Sequence, residues 1–358
     1  MKILKKNCIS EDATIRHAIE KIDESGMGII LVTNEQDQLT GILTDADVRV
    51  AVLSYVNLDS KVTVLLENQK QLDYETPVVA KVGTKTADCV DVMQKYSIRH
   101  LPLIDENRIP RELLTLSECL GHAPTPIRAL VLAGGLGTRL RPVTNGIPKP
   151  MVPMGEKPLL EHLVARLRKF GIVDTTLAVR YKKEVIIDHF GCGKNLDLKI
   201  DYIHEDEPLG TGGALKHLGS YDGITLVMNG DILTDLNFNL LRDFHEENKA
   251  DITVGVKQFE VDIPFGVVDT VGIEISSLKE KPKFFCFINA GIYLLSEKVF
   301  NNLPDTNTFN MTDVIDKIIE KDGKVVSFPI SGYWSDIGNV RDYEKAKKDM
   351  ESENKVLM

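Results

Sequence analysis

The chain has 358 residues, room for two or three domains, and its 43 Lys and Arg against 53 Asp and Glu give a net charge of −10, which argues against a nucleic-acid partner or an anionic-membrane partner. No run of 18 or more apolar residues occurs, and the N-terminal stretch MKILKKNCISEDATIRHA turns polar too early for a signal peptide, so a soluble, cytoplasmic protein is expected. Five cysteines, Cys8, Cys89, Cys119, Cys192 and Cys286, are scattered without CxxC or neighbouring histidine spacing and read as reduced packing residues.

The N-terminal third contains an internal repeat. Its first copy runs from Ser10 to Thr14 through a helical pattern at Ile15, Ala18 and Ile22 into the apolar strand Ile29–Val32 and then Gly41–Thr44. The second copy gives Val82–Thr86, a helix with Val90 and Met93, the strand Leu101–Ile104, and Leu113–Thr115. Thr14 and Thr86 stand 72 positions apart, and Thr44 and Thr115 stand 71 apart. The copies span about 1–62 and 63–120, and the prolines and glycine of 121–126 break any periodic pattern, which predicts a linker there.

After the linker, apolar strands alternate with amphipathic helices, the pattern of an α/β sheet with helices on both faces in a domain spanning 127–358. Leu130, Val131 and Leu132 read as a buried strand that empties into a glycine-rich loop, where Gly134, Gly135 and Gly137 let backbone N–H groups turn toward a ligand. Arg139 adds a forked cation suited to phosphate oxygens, and Lys149, ten residues on, a point charge for a second phosphate. Taken alone the loop is also compatible with plain turn chemistry. It is neither a dinucleotide fingerprint, since Leu140 stands where the third glycine belongs, nor a Walker loop.

Further strands are expected at Thr175–Val179, Ile200–His204, Ile224–Met228, Ile252–Val256, Ile288–Leu294 and Val325–Pro329, with a helix from Pro158 to Phe170. Ligands of open α/β sheets bind beyond the carboxyl ends of strands, which singles out Asp231 after the run Ile224–Asn229. Asp336, in the segment of the chain's single tryptophan, Trp334, is the second candidate, and two aspartates suffice for Mg²⁺ when substrate phosphates and water complete the shell. Each aspartate alone would more often be a cap or turn residue. The charged runs Glu205–Glu207 and Lys345–Lys348 read as solvated faces, and none of the eight histidines shows metal-ligand spacing.

The string G-G-x-G-T-R-L-x-P-x-T from Gly134 to Thr144, followed by Lys149-Pro150, resembles the signature of the sugar-phosphate nucleotidyltransferases. The resemblance continues in order along the chain: Glu207 to Leu215, with Gly212 where alanine is usual; Pro264 to Val268; Glu280-Lys281-Pro282; Asn289-Ala290-Gly291; and Trp334 to Gly338. It implies an α/β, Rossmann-like mixed sheet of the GT-A-like kind, with Asp231 and Asp336 as paired metal ligands. Leu132, Ala133, Gly134, Gly135, Gly137 and Thr138, together with Gly210, Thr211 and Gly212, would surround the nucleotide, and Gly266, Glu280, Lys281 and Asn289 the sugar phosphate. The repeat resembles a tandem pair of CBS domains, modules that bind adenosine-containing ligands, with Thr44 and Asp47 matching the family's Thr/Ser-x-x-Asp; in the second copy Glu118 replaces that aspartate and Arg111-Glu112 the preceding glycine.

The implied chemistry is in-line attack of a sugar 1-phosphate oxygen on the α-phosphorus of a nucleoside triphosphate, with no protein nucleophile. Arg139 and the loop amides would hold the β- and γ-phosphates, Lys149 the α-phosphate and Lys281 the incoming phosphate. Asn229 to Leu233 and the loop at 209–215 look more like the mannose-1-phosphate guanylyltransferase branch, which favours GTP. The fused repeat resembles bacterial enzymes that make GDP-glucosamine for nonulosonic acids such as legionaminic acid. A glycosyltransferase would offer Asp-x-Asp after the central strand, yet the sole instance, Asp45 to Asp47, lies in the first repeat; a non-catalytic sensor would have lost one of Arg139, Lys149, Asp231 or Asp336. Both families commonly self-associate, so a homo-oligomer is expected.

Overall fold

The computed structural model describes residues 4–70, 77–96, 98–116, 119 and 126–352. The chain divides into two compact units, one of Met1–Pro126 with Asn237–Phe244, the other of Ile127–Leu236 with His245–Met358. Residues 121–125 of the expected linker and Glu118 lie outside the described residues. Among the described residues no helix is long and apolar enough to cross a membrane.

In the first unit the sequence repeat is a repeat of topology. Strand β1 (Cys8–Ser10) runs parallel to β2 (Ile29–Thr33), which pairs antiparallel with β3 (Leu39–Thr44). The second copy repeats this with β4 (Ala80–Lys81) parallel to β5 (His100–Ile104) and β5 antiparallel to β6 (Pro110–Thr115). The helix Ile15–Ser25 buries Ile15, Ala18, Ile19 and Ile22, starts at Thr14, whose side chain accepts from the His17 N–H, and stops at left-handed Gly26. The helix Thr86–Lys95 buries Cys89 and Met93, four apart on one face, while Val90 is only partly covered. Cys192 and Cys286 are exposed, so packing does not account for them. The helix Thr63–Lys70 packs on β3, where a Cβ on Gly41 would stand 2.6 Å from the Leu66 side chain, so the first copy's packing runs past residue 62.

The second unit opens with β7 (Ile127–Leu132), then the short pair β8 (Pro153–Met154) and β9 (Lys157–Pro158). It continues through β10 (Asp174–Val179), β11 (Lys199–His204), β12 (Ile224–Asn229), β13 (Ile232–Thr234) and β14 (Ile252–Asp262). There follow β15 (Val267–Val271), β16 (Glu274–Lys279), β17 (Lys283–Leu295), β18 (Val325–Pro329) and β19 (Trp334–Asp336). Among the described residues seven strands form one mixed sheet in the order β11-β10-β7-β12-β17-β14-β18. The first four are mutually parallel, β17 runs antiparallel to both neighbours, and β14 and β18 are parallel.

One core cluster joins Leu130, Ala178, Val227, Ile252 and Leu295 of the sheet to Met311, Val314 and Ile318 of the helix Met311–Glu320. Strands β14 and β17 run well beyond their expected extents, pairing from Val256 with Asn289 to Asp262 with Lys283. Their β-branched and aromatic residues keep strand propensity even where Phe259, Val261, Phe284 and Phe285 are exposed.

Candidate active site

Parallel strands β7, β10, β11 and β12 end at one edge of the sheet, and each delivers a polar group there. The glycine loop follows β7, Arg180 follows β10, Glu205 follows β11, and Gly230-Asp231 follows β12. The chain leaves β7 in one direction to β10 and β11 and returns on the other side to β12, so the crevice between β7 and β12 is the switch point where such sheets bind ligands. At that crevice Gly230 donates its N–H to the Leu132 carbonyl at 2.9 Å. A Cβ on Gly230 would stand 2.9 Å from that same oxygen, so the position accepts only glycine without a shift.

The charged residues are held by their apolar neighbours in sequence. Leu140 beside Arg139, Val152 after Lys149, Leu233 after Asp231 and Ile337 beside Asp336 are all buried in one cluster with Leu159 and Tyr343. Strand β13 pairs with β19 so that Ile232 faces Asp336, and the Ile337 N–H donates to the Asp231 carbonyl at 3.0 Å. The two aspartates, a hundred residues apart in sequence, are thereby placed side by side.

Between them lies Lys149. Its ammonium is bonded to Asp231 Oδ2 and stands 3.9 Å from Asp336 Oδ1, with the lysine side chain 9 % exposed and Asp336 49 %. Burial, then the Asp231 charge, raise the Asp336 carboxyl above its ordinary pKa, and Lys149 and Arg139 oppose the rise. The two carboxylates are hard-oxygen donors, one of them half open, of the kind that hold a divalent cation completed by phosphates and water, and the Lys149 ammonium stands between them where such a cation would bind. Among the described residues no group of three or more His, Cys, Asp and Glu converges as an all-protein metal cage.

The glycine loop is shaped against the same lysine. Gly137 has φ +65°, and a Cβ there would meet Thr144 Cγ2 at 2.8 Å and Lys149 Cβ at 2.9 Å. The Thr144 hydroxyl donates to the Gly137 carbonyl at 2.8 Å, and Ala133 donates its N–H to Ala178. Gly134 and Gly135 lead to Thr138 and Arg139, which are exposed, while Leu132 is half-buried at the strand end. The second glycine segment is tied elsewhere: Gly212 N–H donates to Phe309 O, Thr211 N–H to Asn310 Oδ1, and the Thr211 hydroxyl accepts from Met311 N–H. A Cβ on Gly210, which has φ +76°, or on Gly212 would run into Phe309. The resemblance allows alanine at 212; here Phe309 closes over the loop and 2.6 Å is all that separates its ring from the missing methyl.

The sugar-side residues lie on the β14–β17 ribbon and the β15–β16 hairpin. Gly266 faces Glu280, whose Oε2 would be 3.1 Å from a Cβ there, and Lys281 has a left-handed backbone at φ +43°. The register between β14 and β17 jumps from Val254–Tyr293 to Val256–Asn289, so Ala290-Gly291-Ile292 opposes Gly255 as a bulge. The bulge turns the Ala290 carbonyl to the Trp334 indole N–H at 3.0 Å and sets Gly291 against Asn229, while Asn289 Oδ1 accepts from Gly291 N–H. The contacts thus tie Ala290, next to Asn289, to the Trp334–Asp336 strand, and pair Gly266 with Glu280.

In the first unit Thr44 and Asp47 are joined to each other. Asp47 Oδ2 accepts from the Thr44 N–H at 2.7 Å and from its hydroxyl at 2.6 Å, and Thr44 Oγ1 accepts from the Asp47 N–H, a capping box opening the helix Asp45–Leu53.

Arg180 and Glu205 are the residues that sequence reading passed over. Glu205 is half-buried, not a solvated face; its Oε2 would be 3.2 Å from a Cβ on Gly134, and Arg180 Cβ 3.3 Å. Burial raises the Glu205 carboxyl, against the nearby Arg180 and His217 charges, and Arg180 Nε is buried without a hydrogen-bond partner. The signal was positional: both follow strands that end at the glycine-loop edge.

A family model described as nucleotidyl transferase matches residues 128–353, the whole of this site. The chain belongs to that family. A CBS domain model matches residues 5–54, the first repeat. Mannose-1-phosphate guanylyltransferase of Mycobacterium tuberculosis is 33 % identical over 233 residues, covering 63 % of this chain and 64 % of that one. The Aspergillus oryzae mannose-1-phosphate guanyltransferase is 35 % identical over 227 residues, 61 % and 62 % of the two chains. The chain therefore spans a little under two thirds of the length of the curated relatives it matches. A solved Bacillus anthracis structure, described as a glucose-1-phosphate thymidylyltransferase with sucrose, superposes with TM-score 0.51 at 24 % identity over 62 % of this chain and 94 % of that one, a likeness of fold.

Proposed function

We propose that the chain transfers a nucleoside monophosphate, GMP from GTP, to a hexose or hexosamine 1-phosphate, releasing pyrophosphate and forming a nucleoside-diphosphate sugar. The observation that carries this reading is the Lys149 ammonium held between Asp231 and Asp336 under a glycine loop, a preorganised charge cluster at a sheet's switch point. The reaction brings two polyanions together, so its barrier is electrostatic, and the attacking phosphate is already ionised near neutral pH. The amides from Gly134 to Thr138 and the Arg139 guanidinium bind the β- and γ-phosphates and stabilise the departing pyrophosphate. Lys149 binds the α-phosphate. Asp231 and Asp336 would hold Mg²⁺, which would supply positive charge to offset the repulsion between the two substrates.

Guanine is favoured by the names of the relatives and by Glu205: a carboxylate accepts from both N1–H and N2–H of guanine, an edge that no other common base presents. Glu280 and Asn289 read the sugar hydroxyls and Lys281 its phosphate, with glucosamine 1-phosphate and mannose 1-phosphate the first acceptors to try. The reading extends to an adenine nucleotide on the paired repeats as a regulator and to a homo-oligomeric enzyme. Pyrophosphate release from a grid of nucleoside triphosphates against sugar 1-phosphates tests it. Turnover is expected with GTP and one hexose or hexosamine phosphate; no release for any pair in the presence of Mg²⁺ would overturn the reading.

A further inference from the structure

We infer that Lys257 is a positioning residue, whose ammonium clasps the loop Ile330–Gly332 and so fixes the distance between Asp336 and Asp231. This rests on the reading above that these two aspartates act together on a metal.

Lys257 lies on β14 just past the bulge at Gly255, one residue beyond Val256, the last that pairs with β18. Its Nζ donates to Ile330 O at 3.0 Å and Gly332 O at 2.8 Å, with Ser331 O at 3.4 Å. One cation therefore gathers three consecutive carbonyls, and burial lowers its pKa while nearby Asp235 opposes the fall. From the other side the loop is held by β13 and its exit. The Thr234 hydroxyl donates to Tyr333 O at 2.8 Å, Asp235 N–H donates to the same oxygen at 3.1 Å, and the Asp235 carboxylate is packed against Gly332.

The next residues are Trp334–Asp336, the strand that presents Asp336 opposite Ile232. That strand is three residues long: its pairing with β13 sets which residues face each other, and the clasped loop that enters it backs so short a pairing from the other end. A hydrophobic residue at 257 could fill the same space but would take the donor away from three convergent carbonyls and leave the half-buried Asp235 with the Arg166 charge but not that of Lys257. The choice of a lysine here, with no substrate-binding motif of its own, is explained by the loop it closes. Groups that bond a metal ligand directly shift metal affinity about 10- to 100-fold when removed, and Lys257, acting through the loop one step further out, belongs at the low end of that range.

The test uses Trp334, the chain's single tryptophan, two residues from Asp336, as a reporter separate from turnover. Mn²⁺ bound at the aspartates is expected to quench its fluorescence, and Mn²⁺ titrations of the full-length wild type, Lys257→Met and Lys257→Arg compare three midpoints. Lys257→Met is expected to raise the midpoint about tenfold. Lys257→Arg, which keeps a donating cation, is expected to restore most of the shift, with the KM for nucleotide changed less than about twofold in either variant. A midpoint for Lys257→Met equal to wild type overturns the proposal. So does an equal shift in Val299→Ala, a core variant remote from the loop chosen to match any loss of melting temperature, since the effect would then be one of stability alone. Absence of any Mn²⁺ response in wild type overturns it too, there being no metal geometry to set. Normal quenching without turnover on any substrate pair sinks the transferase reading instead and leaves the Lys257 midpoints to decide on their own.

Discussion

A threonine-and-aspartate pair in the first unit and a lysine-and-aspartate cluster in the second differ in what is left over. At Thr44 and Asp47 each polar group answers the other, the carboxylate taking the Thr44 N–H and hydroxyl and the hydroxyl taking the Asp47 N–H. A helix start needs this and nothing more. At Lys149, Asp231 and Asp336 one ammonium serves two carboxylates, and the second is half open to solvent with its proton affinity raised. A cluster that folding alone does not satisfy is one that a ligand can complete. A motif becomes evidence of function where the protein leaves its charges short of partners.

The largest effect expected on that contrast is at the open cluster. Asp231→Ala should keep the fold and lower turnover by about 10²- to 10³-fold, roughly 3 to 4 kcal/mol of transition-state stabilisation. Circular dichroism and steady-state pyrophosphate release together check this, and near-normal turnover would place Asp231 among the structural groups.

His245 offers a buried polar group of the closed kind within the same unit as the cluster. Its ring is bonded to Thr253 Oγ1 at 2.8 Å, and burial lowers its pKa from 6.5 to about 4. The unfolded chain then takes up a proton that the folded one resists, so stability is full above the unfolded value and falls as pH drops from about 6.5 toward 4, by something on the order of 3 kcal/mol. His245→Gln should flatten that slope in urea unfolding at pH 7 and 4.5 while leaving turnover at pH 7 in place. An unchanged slope would assign the acid sensitivity to other groups.

Gly212→Ala tests whether the second glycine segment is closed by Phe309. Overpacking against that ring should cost about 1 to 3 kcal/mol of stability. A stable variant with normal nucleotide affinity would show that the ring yields readily. The smallest effect belongs to the capping box: Thr44→Ala should cost about 1 kcal/mol and leave basal turnover unchanged. AMP, ATP or S-adenosylmethionine that shifts the melting temperature of wild type but not of Thr44→Ala would place the nucleotide proposed for the repeats on this pair.

The fold class was legible because strands with apolar runs, such as Leu130–Val131 and Leu226–Met228, are buried on both faces and announce themselves without partners. The ribbon of β14 and β17 was read short, since its outer half is exposed and its alternating Phe, Val and charged residues carry no burial signal. Asp231 and Asp336 were readable from strand-end position and motif, but the Lys149 contact that unites them was not, because it depends on the register of β13 against β19. Glu205 was hidden inside an acidic run, where composition suggests solvent and only the neighbouring Gly134 loop shows otherwise. Lys257 carries no motif at all; its role lies in three carbonyls more than seventy residues away.

The most direct measurement is ³¹P NMR of wild type and Asp231→Ala with GTP, Mg²⁺ and glucosamine 1-phosphate or mannose 1-phosphate. The account predicts that wild type converts the triphosphate and monoester signals into the paired diphosphate resonances of a GDP-sugar with equimolar pyrophosphate, and that Asp231→Ala does so at least about 10²-fold more slowly. Loss of GTP to GDP and phosphate without a sugar nucleotide, or equal rates in the two proteins, would contradict it.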